Sequence, residues 1–440
     1  MKDSWTLIAP RSPARAAINE DVAPKRTWTI LLSSLIIQLI LAVFFGHAYD
    51  IPIFMATGYE VAVGGNPYAP ADLSLVFHNA AFSGITTAGY PPPWPLILGV
   101  IYRLTYAAVP SFLLYNAAIK LPLIAANIGL AYLVRRVLRR LGAGEPVLHG
   151  AWALLLFNPF LLMATAAWGQ IDSIVALLSL CALLVLACDR PEASAALLAL
   201  AISFKPTAVP LVLIPFFYYL QSRRWKSIVA YYVMLTLGLF AFCVLPFLIF
   251  NWDAAPIQRG WNAHFVVGGG LSPFAVLELI QNSYVLPGNW WLLGLLWIPA
   301  LALTSLTLRS GITDLKDLLK KSTAVILVFL LTRAWLSEQN IVLPLPFVLI
   351  LALSGELDRR VWHALWIVPL VFALANTALP QLLFPSMPQV MQAVLKWMDG
   401  FRTARLVAKV VIAIPWQILG WSIVWRCLSR PRAAAAALPA

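Results

Sequence analysis

Charged residues are scarce in this sequence. They make up 11% of its 440 residues, and hydrophobic residues make up 61%, whereas a soluble domain carries about 25% charged residues. This balance excludes a soluble globular protein and predicts an integral membrane protein. The apolar runs are continuous and do not alternate, and the backbone of a span must satisfy its own hydrogen bonds. The runs therefore predict membrane-spanning α-helices and not the strands of a barrel.

Cysteine and the short motifs of several enzyme classes are also scarce or missing. The four cysteines lie in or beside apolar runs without the spacing of a metal site or a disulfide framework, so we expect them to be core residues. The sequence has no His-Glu-x-x-His, Walker or Gly-x-Ser-x-Gly motif, and its five histidines are scattered. We therefore expect neither a metal site nor a cofactor, because no residue cluster indicates a divalent ion.

Positive charge is what the sequence has in excess, with a net charge of +13. The basic residues form small clusters between apolar runs, which marks the cytoplasmic ends of spans and not a nucleic-acid surface. We predict a cell-membrane protein with cytoplasmic tails at 1–27 and 429–440, the second rich in Ala and Arg, around a transmembrane domain at 28–428. The first run, Trp28–Phe45, lacks a cleavage site after it and is expected to remain as an anchor.

Two apolar segments decide the predicted topology. Leu96–Val109 is short, and Ala193–Tyr219 is interrupted at Lys205. We interpret both as half-crossings, which puts Asp172 on the outer face with the first loop and Arg135–Arg140 in the cytoplasm. If both segments crossed fully, Asp172 would turn inward and Arg135–Arg140 would lie outside.

The polar intervals predict three extracytoplasmic loops, at 47–95, 251–289 and 381–405. The first is the longest, and it begins with Asp50 at the exit of the first span, followed by an amphipathic run to Gly65. An ionisable group close to the membrane is a functional candidate. The second loop contains Gly268-Gly269-Gly270, which we interpret as a flexible turn.

Several polar residues on the predicted outer face have both a structural and a functional interpretation. Asp50 can be a solvated acid at a helix end, and Glu60 lies ten residues further on, on a neighbouring face of the same predicted helix. Asp172 begins a helix, where an acid is favourable in any case. Arg402 and Arg405 share one helix face, where they either hold a phosphate or anchor the last span at the interface.

An ordered set of motifs on this outer face resembles the GT-C superfamily of membrane glycosyltransferases. The set comprises Asp50 with Phe54, Gly65-x-Pro67-Tyr68, Tyr90-Pro91-Pro92, Asn158-Pro159, Trp168-Gly169-Gln170-Ile171-Asp172-Ser173, Lys205-Pro206 and Ser337-Glu338-Gln339-Asn340. It is most similar to the branch that takes mannose from a polyprenyl-phosphate donor, and it covers the chain from Trp28 to Leu353. The sequence departs from the usual Asp-x-Asp of the first loop, because Ala48 stands at the first aspartate and leaves Asp50 alone.

The resemblance implies an all-α polytopic membrane protein, a bundle of about 10–13 transmembrane helices with broken half-helices and a catalytic first extracytoplasmic loop. It implies inverting transfer of a hexose, mannose favoured, from a polyprenyl-phosphate donor to a lipid or glycan acceptor, with Asp50 as the catalytic base. Resemblance and outer-face position together give these substrate-binding candidates: Glu60, Tyr68, Tyr90, Gln170, Asp172, Lys205, Glu338, Gln339, Arg402 and Arg405.

Two other classes of function are compatible with a polytopic membrane protein. A transporter or lipid flippase predicts an inverted repeat and polar groups near the bilayer midplane, whereas the motifs here cluster at one predicted face and show no repeat. A polymerase or ligase of surface polysaccharide predicts its main site in a large late loop, for which the loop at 251–289 is the candidate. The sequence leaves the sugar, the acceptor and the oligomeric state open.

Overall fold

The structure is a computed structural model that describes residues 24–85 and 89–429. Most of the two predicted cytoplasmic tails lies outside these ranges. The helices, in chain order, are α1 Pro24–Phe44, α2 Asp50–Val63, α3 Ser74–Phe77, α4 Pro93–Leu104, α5 Phe112–Arg140, α6 Glu145–Leu156, α7 Pro159–Leu162, α8 Asp172–Ala187, α9 Pro191–Phe204, α10 Leu213–Gln221, α11 Trp225–Leu239, α12 Leu245–Ile249, α13 Ala255–Phe265, α14 Ala275–Gln281, α15 Trp297–Leu308, α16 Leu315–Thr332, α17 Leu345–Leu353, α18 Arg359–Ala375, α19 Ala378–Gln381, α20 Pro388–Asp399 and α21 Arg402–Leu428.

Short tighter or wider helical turns join some of these helices into longer ones. Turns of 3₁₀ type lie at Ala80–Phe82, Pro206–Val212, Gly288–Leu295 and Glu338–Val342, and π-helical turns lie at Met163–Ala167 and Phe240–Val244. Two two-residue strands, β1 Gly269–Gly270 and β2 Trp335–Leu336, pair in parallel.

The described residues contain six helical stretches that are long and apolar enough to cross a membrane. They are Thr27–Phe44, Phe112–Arg140, Glu145–Ala167, Trp225–Ile249, Gly288–Leu308 and Arg402–Leu428. Shorter apolar helices, including α8, α9 and α17, pack among them. The prediction of an all-α polytopic membrane protein is confirmed.

The first outer loop folds as a helical pair, α2 with α4. A Cβ on Gly58 would lie 2.7 Å from the Leu98 carbonyl oxygen, and one on Gly99 would lie 2.4 Å from Val61 Cγ1, so glycine at both positions permits this close approach. At 12 residues, α4 is about 18 Å long, well short of the ~30 Å hydrocarbon core. This length agrees with the predicted half-crossing.

The predicted break at Lys205 is confirmed. Helix α9 ends at Phe204, and Lys205 is extended, with φ −155° and ψ 127°. Pro206 explains the break, because proline disfavours the helical conformation in the residue before it and donates no backbone hydrogen bond. The chain then turns back through the 3₁₀ segment into α10.

The bundle has two chemically different ends. At one end, which the sequence predicts to be extracytoplasmic, Asp50 contacts Trp168 and Gln170. At the basic end, Arg139 contacts Glu145 and Arg224 contacts Asp189. Helix α5 connects them: its Asn116 binds the last carbonyls of α1, and Arg135 lies 19 positions later, about 28 Å along the axis.

This arrangement excludes the alternative topology. That topology placed Asp50 and Asp172 on opposite faces, whereas Asp50 accepts a hydrogen bond from Gln170, two positions before Asp172. It also placed Arg135–Arg140 on the face of Asp50, whereas α5 separates them. The outer-face residues therefore share one end of the molecule.

The glycines of the second outer loop form a strand and not the predicted flexible turn. Gly270 of β1 pairs with Leu336 of β2. The two backbones are so close that a Cβ on Gly270 would lie 2.2 Å from the Leu336 carbonyl oxygen. Its φ of +64° also favours glycine. Ser272 adds a hydrogen bond of 2.7 Å to the Ala334 carbonyl. The prediction failed because the pairing partner is distant in sequence.

The orientation of the two ends is testable by thiol labelling. Cys188 is exposed beside the basic-end residue Asp189, and Ser83 is exposed in the first outer loop. We expect a Ser83→Cys variant in a Cys188→Ala background to react with a membrane-impermeant maleimide in intact cells. The unchanged chain should react at Cys188 only after permeabilisation. The reverse pattern would invert the proposed orientation.

Candidate active site

The turn between α1 and α2 positions Asp50. Asn116 and Lys120 of α5 donate hydrogen bonds to the carbonyl oxygens of Ala42 and Phe45. Ala42 lies in the last turn of α1 and Phe45 follows its last residue. Capping these carbonyls with buried donors fixes the end of the helix. The chain then turns through Gly46 and His47 and enters α2 at Asp50, where the helix N-terminus favours a carboxylate.

Three side-chain nitrogen atoms surround one carboxylate oxygen of Asp50. Its Oδ2 lies 2.6 Å from Trp168 Nε1, 3.0 Å from Gln170 Nε2 and 3.2 Å from His47 Nδ1. Among the residues described, none donates a hydrogen bond to Oδ1. The carboxylate is thus held through one oxygen only.

These contacts set the charge state of Asp50. Burial acts to raise the pKa of the carboxyl, but the hydrogen bond and charge of His47, the hydrogen bond of Trp168 and the charge of Lys205 outweigh it. The net pKa lies below the ordinary aspartate value. Asp50 is therefore deprotonated at neutral pH, as a proton acceptor must be.

The side chains that contact Asp50 are positioned by further contacts. The His47 ring stacks on Trp168, with centroids 4.4 Å apart and an interplanar angle of 9°. Gln170 accepts a 2.9 Å hydrogen bond from the Tyr90 hydroxyl through Oε1, which directs its amide nitrogen at Asp50. Tyr68, fully buried, donates to the Tyr90 carbonyl at 3.1 Å. The predicted residues Tyr68, Tyr90 and Gln170 thus form one support for Asp50.

A buried polar chain fixes the π-helical turn that precedes Trp168. Asn127 of α5 donates to Thr165 Oγ1 at 2.8 Å and to Gln38 Oε1 at 2.7 Å. Gln38 in turn donates to Ser34 at 2.9 Å. Gly169, with φ +103°, redirects the chain after Trp168. This network ties the Trp168 segment to α1 and α5.

Asp172 and Lys205 form a buried ion pair beside this cluster. Lys205 Nζ lies 2.9 and 2.7 Å from the two carboxylate oxygens of Asp172, whose side chain is 0% exposed. Arg333 lies close enough to interact electrostatically with Asp172, and its guanidinium covers the Phe329 ring at 5.5 Å. Within 24–85 and 89–429, Arg333 has no hydrogen-bond acceptor. Lys205 is thus paired with Asp172, and Arg333 is a second cation near the pair.

The segment after Arg333 brings Glu338 to the same end. Glu338 is buried, accepts hydrogen bonds of 3.2 and 3.4 Å from Asn376, and interacts electrostatically with His47 and Lys409. Gln339 is adjacent, and its buried Oε1 lacks a hydrogen-bond partner in the part of the chain that the structure describes. Glu338 therefore lies within electrostatic range of His47.

Three predicted site residues lie away from this cluster. Glu60 is ten positions along α2 from Asp50, about 15 Å by helix rise, and burial raises the pKa of its carboxyl. Arg405 binds the Met398 carbonyl at 3.1 Å and lies 3.5 Å from Asp399, and Arg402 is exposed at the start of α21. The contacts of Arg405 lie at the α20–α21 corner and not at Asp50.

Sequence reasoning missed several members of the cluster. The sequence predicts neither His47 nor Trp168 as a site residue, and Asn376 lies beyond Leu353, where the resemblance ends. His47, three positions before Asp50, was detectable from helical spacing. Asn376 had no such signal, because its partner Glu338 is 38 positions away. In the described ranges, no three His, Cys, Asp or Glu side chains group as a metal site requires.

Removing the Trp168 hydrogen bond should shift the pH dependence of activity. Trp168→Phe keeps a ring against His47 but deletes the donor that lowers the pKa of Asp50. The pKa of Asp50 then rises, the base is protonated at higher pH, and the acid limb of kcat/KM moves to higher pH. Trp362→Phe is the control, since its buried Nε1 has no partner among the residues described. An unmoved acid limb in Trp168→Phe would contradict this role for Asp50.

Comparison with known proteins assigns the chain to a family. The family model of glycosyltransferase family 87 matches residues 90–331, more than half of the chain. The match includes Tyr90, Trp168, Gln170, Asp172 and Lys205, and Asp50 lies before it. No curated protein matches the chain. With its apolar helices and this match, the chain belongs to glycosyltransferase family 87 and is a membrane glycosyltransferase that takes a sugar donor and an acceptor.

Proposed function

We propose that this enzyme transfers a hexose, with mannose favoured, from a polyprenyl-phosphate donor to a lipid or glycan acceptor on the extracytoplasmic face. We also propose that its fold is GT-C-like. One observation carries the proposal. A carboxylate with one oxygen that accepts no hydrogen bond among the described residues, Asp50, lies at the same end of the bundle as Arg333, a cation that has no hydrogen-bond acceptor in those residues. Transfer from a lipid phosphate sugar calls for a base and for a cation that binds the phosphate.

The chemistry assigned to Asp50 is general-base catalysis. The acceptor hydroxyl donates its hydrogen bond to Asp50 Oδ1. As the acceptor oxygen bonds to the anomeric carbon, the bond from that carbon to the phosphate oxygen breaks, and its electron pair leaves with the phosphate. Asp50 takes the hydroxyl proton. Attack opposite the leaving phosphate inverts the anomeric centre, and the base contributes ~10²–10⁴-fold to the rate.

Lys205 and Arg333 are the proposed partners of the donor phosphate. Lys205 is paired with Asp172, and Arg333 is the cation we propose to bind the single negative charge of the phosphodiester. Arginine suits this role because its planar fork binds two phosphate oxygens, and Arg333 has no other acceptor in the described ranges. No nucleotide takes part, so no nucleotide-binding domain is required.

Arg402 and Arg405 remain a second candidate pair for the phosphate, and donor binding distinguishes the pairs. Losing one hydrogen bond to a charged group weakens binding by about 1.5–3 kcal/mol, roughly ten- to a hundredfold. We expect this loss for Arg333→Gln with a non-hydrolysable polyprenyl-phosphate-sugar analogue. If Arg333→Gln binds like the wild type and Arg402→Gln or Arg405→Gln is weakened, the phosphate lies at the α20–α21 corner.

The function itself is tested by a transfer assay. The purified protein in lipid is incubated with radiolabelled polyprenyl-phosphate mannose, glucose or arabinose and a membrane extract. We expect label from one donor to appear in a lipid or glycan product, with mannose the first candidate. Movement of the labelled donor across the bilayer without any labelled product would instead identify a flippase.

A further inference from the structure

A cavity at the basic end lies far from the proposed active site. It is a groove open to solvent, with a volume of about 410 Å³, and it is lined by Tyr132, Arg135, Arg136, Arg139 and Arg140, all on α5. Because α5 crosses the bundle, the cavity lies at the opposite membrane surface from Asp50. Nothing in the proposed transfer reaction uses it.

The arginines of this cavity are not neutralised by the protein. Arg135 lies 3.4 Å and Arg139 lies 3.3 Å from the same acid, Glu145. Arg136 and Arg140 have no acidic partner in the part of the chain described, and both are exposed. Four guanidinium groups therefore share one carboxylate. This leaves an excess of about three positive charges, and like charges so close together favour an anion between them.

Arg135 also lacks a hydrogen-bond acceptor for one of its nitrogen atoms among the described residues. Its guanidinium covers the Trp152 ring at 5.7 Å, which fixes its position. Its Nε is nevertheless buried without a hydrogen-bond partner among the described residues. A buried donor without an acceptor is unfavourable, and an oxygen-rich anion in the cavity supplies acceptors to the cluster.

Three of the lining side chains form a stripe along one face of α5, with the tyrosine at the end nearer the lipid. Tyr132, Arg136 and Arg140 are four positions apart, so they share one face of α5. Tyr132 is 54% exposed one turn nearer the bilayer, and tyrosine is favoured at the level of lipid headgroups because one end is apolar and the other polar. A ligand with a phosphate above an apolar chain matches this order.

We propose that this cavity binds the phosphate headgroup of an anionic phospholipid in the leaflet opposite the active site. The arginines bind the phosphate oxygens, and Tyr132 lies beside the first carbons of the acyl chains. A basic cavity at a helix end is a known kind of lipid headgroup site. The lipid is favoured over free phosphate because the stripe extends below the charged groups.

The test is lipid binding by the full-length protein in detergent, measured by native mass spectrometry and by thermal unfolding. We compare phosphatidylglycerol, phosphatidylcholine and inorganic phosphate. We expect phosphatidylglycerol to bind and to raise the unfolding temperature, with little effect of the other two. The double variant Arg136→Gln/Arg140→Gln should bind phosphatidylglycerol at least tenfold more weakly.

The control is Arg359→Gln/Arg360→Gln at the start of α18, an exposed arginine pair on another helix. It removes the same charge and should keep the binding of phosphatidylglycerol. Equal losses in both double variants would overturn the proposal, since they would show attraction to net charge alone. Equal binding of phosphatidylcholine, or displacement of the lipid by inorganic phosphate at similar concentration, would also overturn it.

Discussion

Asp50→Asn is expected to lower sugar transfer by at least ~10²-fold, because the amide cannot accept the proton of the acceptor hydroxyl. The substitution preserves shape, and Trp168 and His47 still pack around the side chain. Expression and detergent stability should therefore stay close to the wild type. The assay is initial-rate transfer from the identified donor, with the unfolding temperature measured on the same preparation.

Asp72→Asn is the matched control for this result. Asp72 is an exposed acid of the same outer loop whose side chain binds only Ser74 among the residues described. Its loss should leave transfer nearly unchanged. Retention of more than half of the activity in Asp50→Asn would remove Asp50 from the mechanism, whatever its position in the cluster.

Lys205→Met is expected to have the largest effect on stability, because it removes the ion-pair partner of the buried Asp172. Breaking a buried ion pair by removing one partner destabilises a protein by about 3–5 kcal/mol. The fully buried carboxylate and the two short contacts to Nζ place this pair in that class. The measurement is the unfolding temperature in detergent, followed by size-exclusion chromatography.

Two further variants separate stability from function. Asp172→Asn/Lys205→Met removes both charges and should recover most of the stability, whereas transfer should stay low if Lys205 holds the donor phosphate. Arg224→Met breaks the exposed pair with Asp189 at the basic end, and exposed pairs contribute only about 0–1 kcal/mol. A Lys205→Met protein as stable as Arg224→Met would contradict the structural role of the pair.

The features of the fold that depend on residues close together in the chain were predictable from the sequence. Continuous apolar runs predicted the helical bundle, Pro206 predicted the break after α9, and the arginine clusters separated the two ends. The sequence predicts Asp50, Gln170 and Asp172 on one face, because the basic residues at the ends of each span indicate which end is cytoplasmic. These features need only residues close to one another in the chain.

The remaining features depend on partners that are far apart in the chain. Trp168 and Asp50 are 118 positions apart, Glu278 pairs with Lys409 131 positions later, and β1 pairs with β2 across the whole of α15 and α16. No periodicity or spacing specifies such contacts. For the same reason the glycines of β1 looked like a flexible turn, since glycine is favoured equally where two backbones approach closely.

The Asp172–Lys205 contact also bears on how the chain enters the membrane. The two residues lie on consecutive helices, α8 and α9, which form a hairpin with their charged ends together. A lone charge in an inserting helix opposes its transfer into lipid. In this hairpin the acid and the amine can meet as soon as α9 is synthesised, more than a hundred residues before Arg333 emerges. The two charges at this end of the hairpin therefore enter the bilayer neutralised by each other, and the proposed binding of an anion has to wait for Arg333.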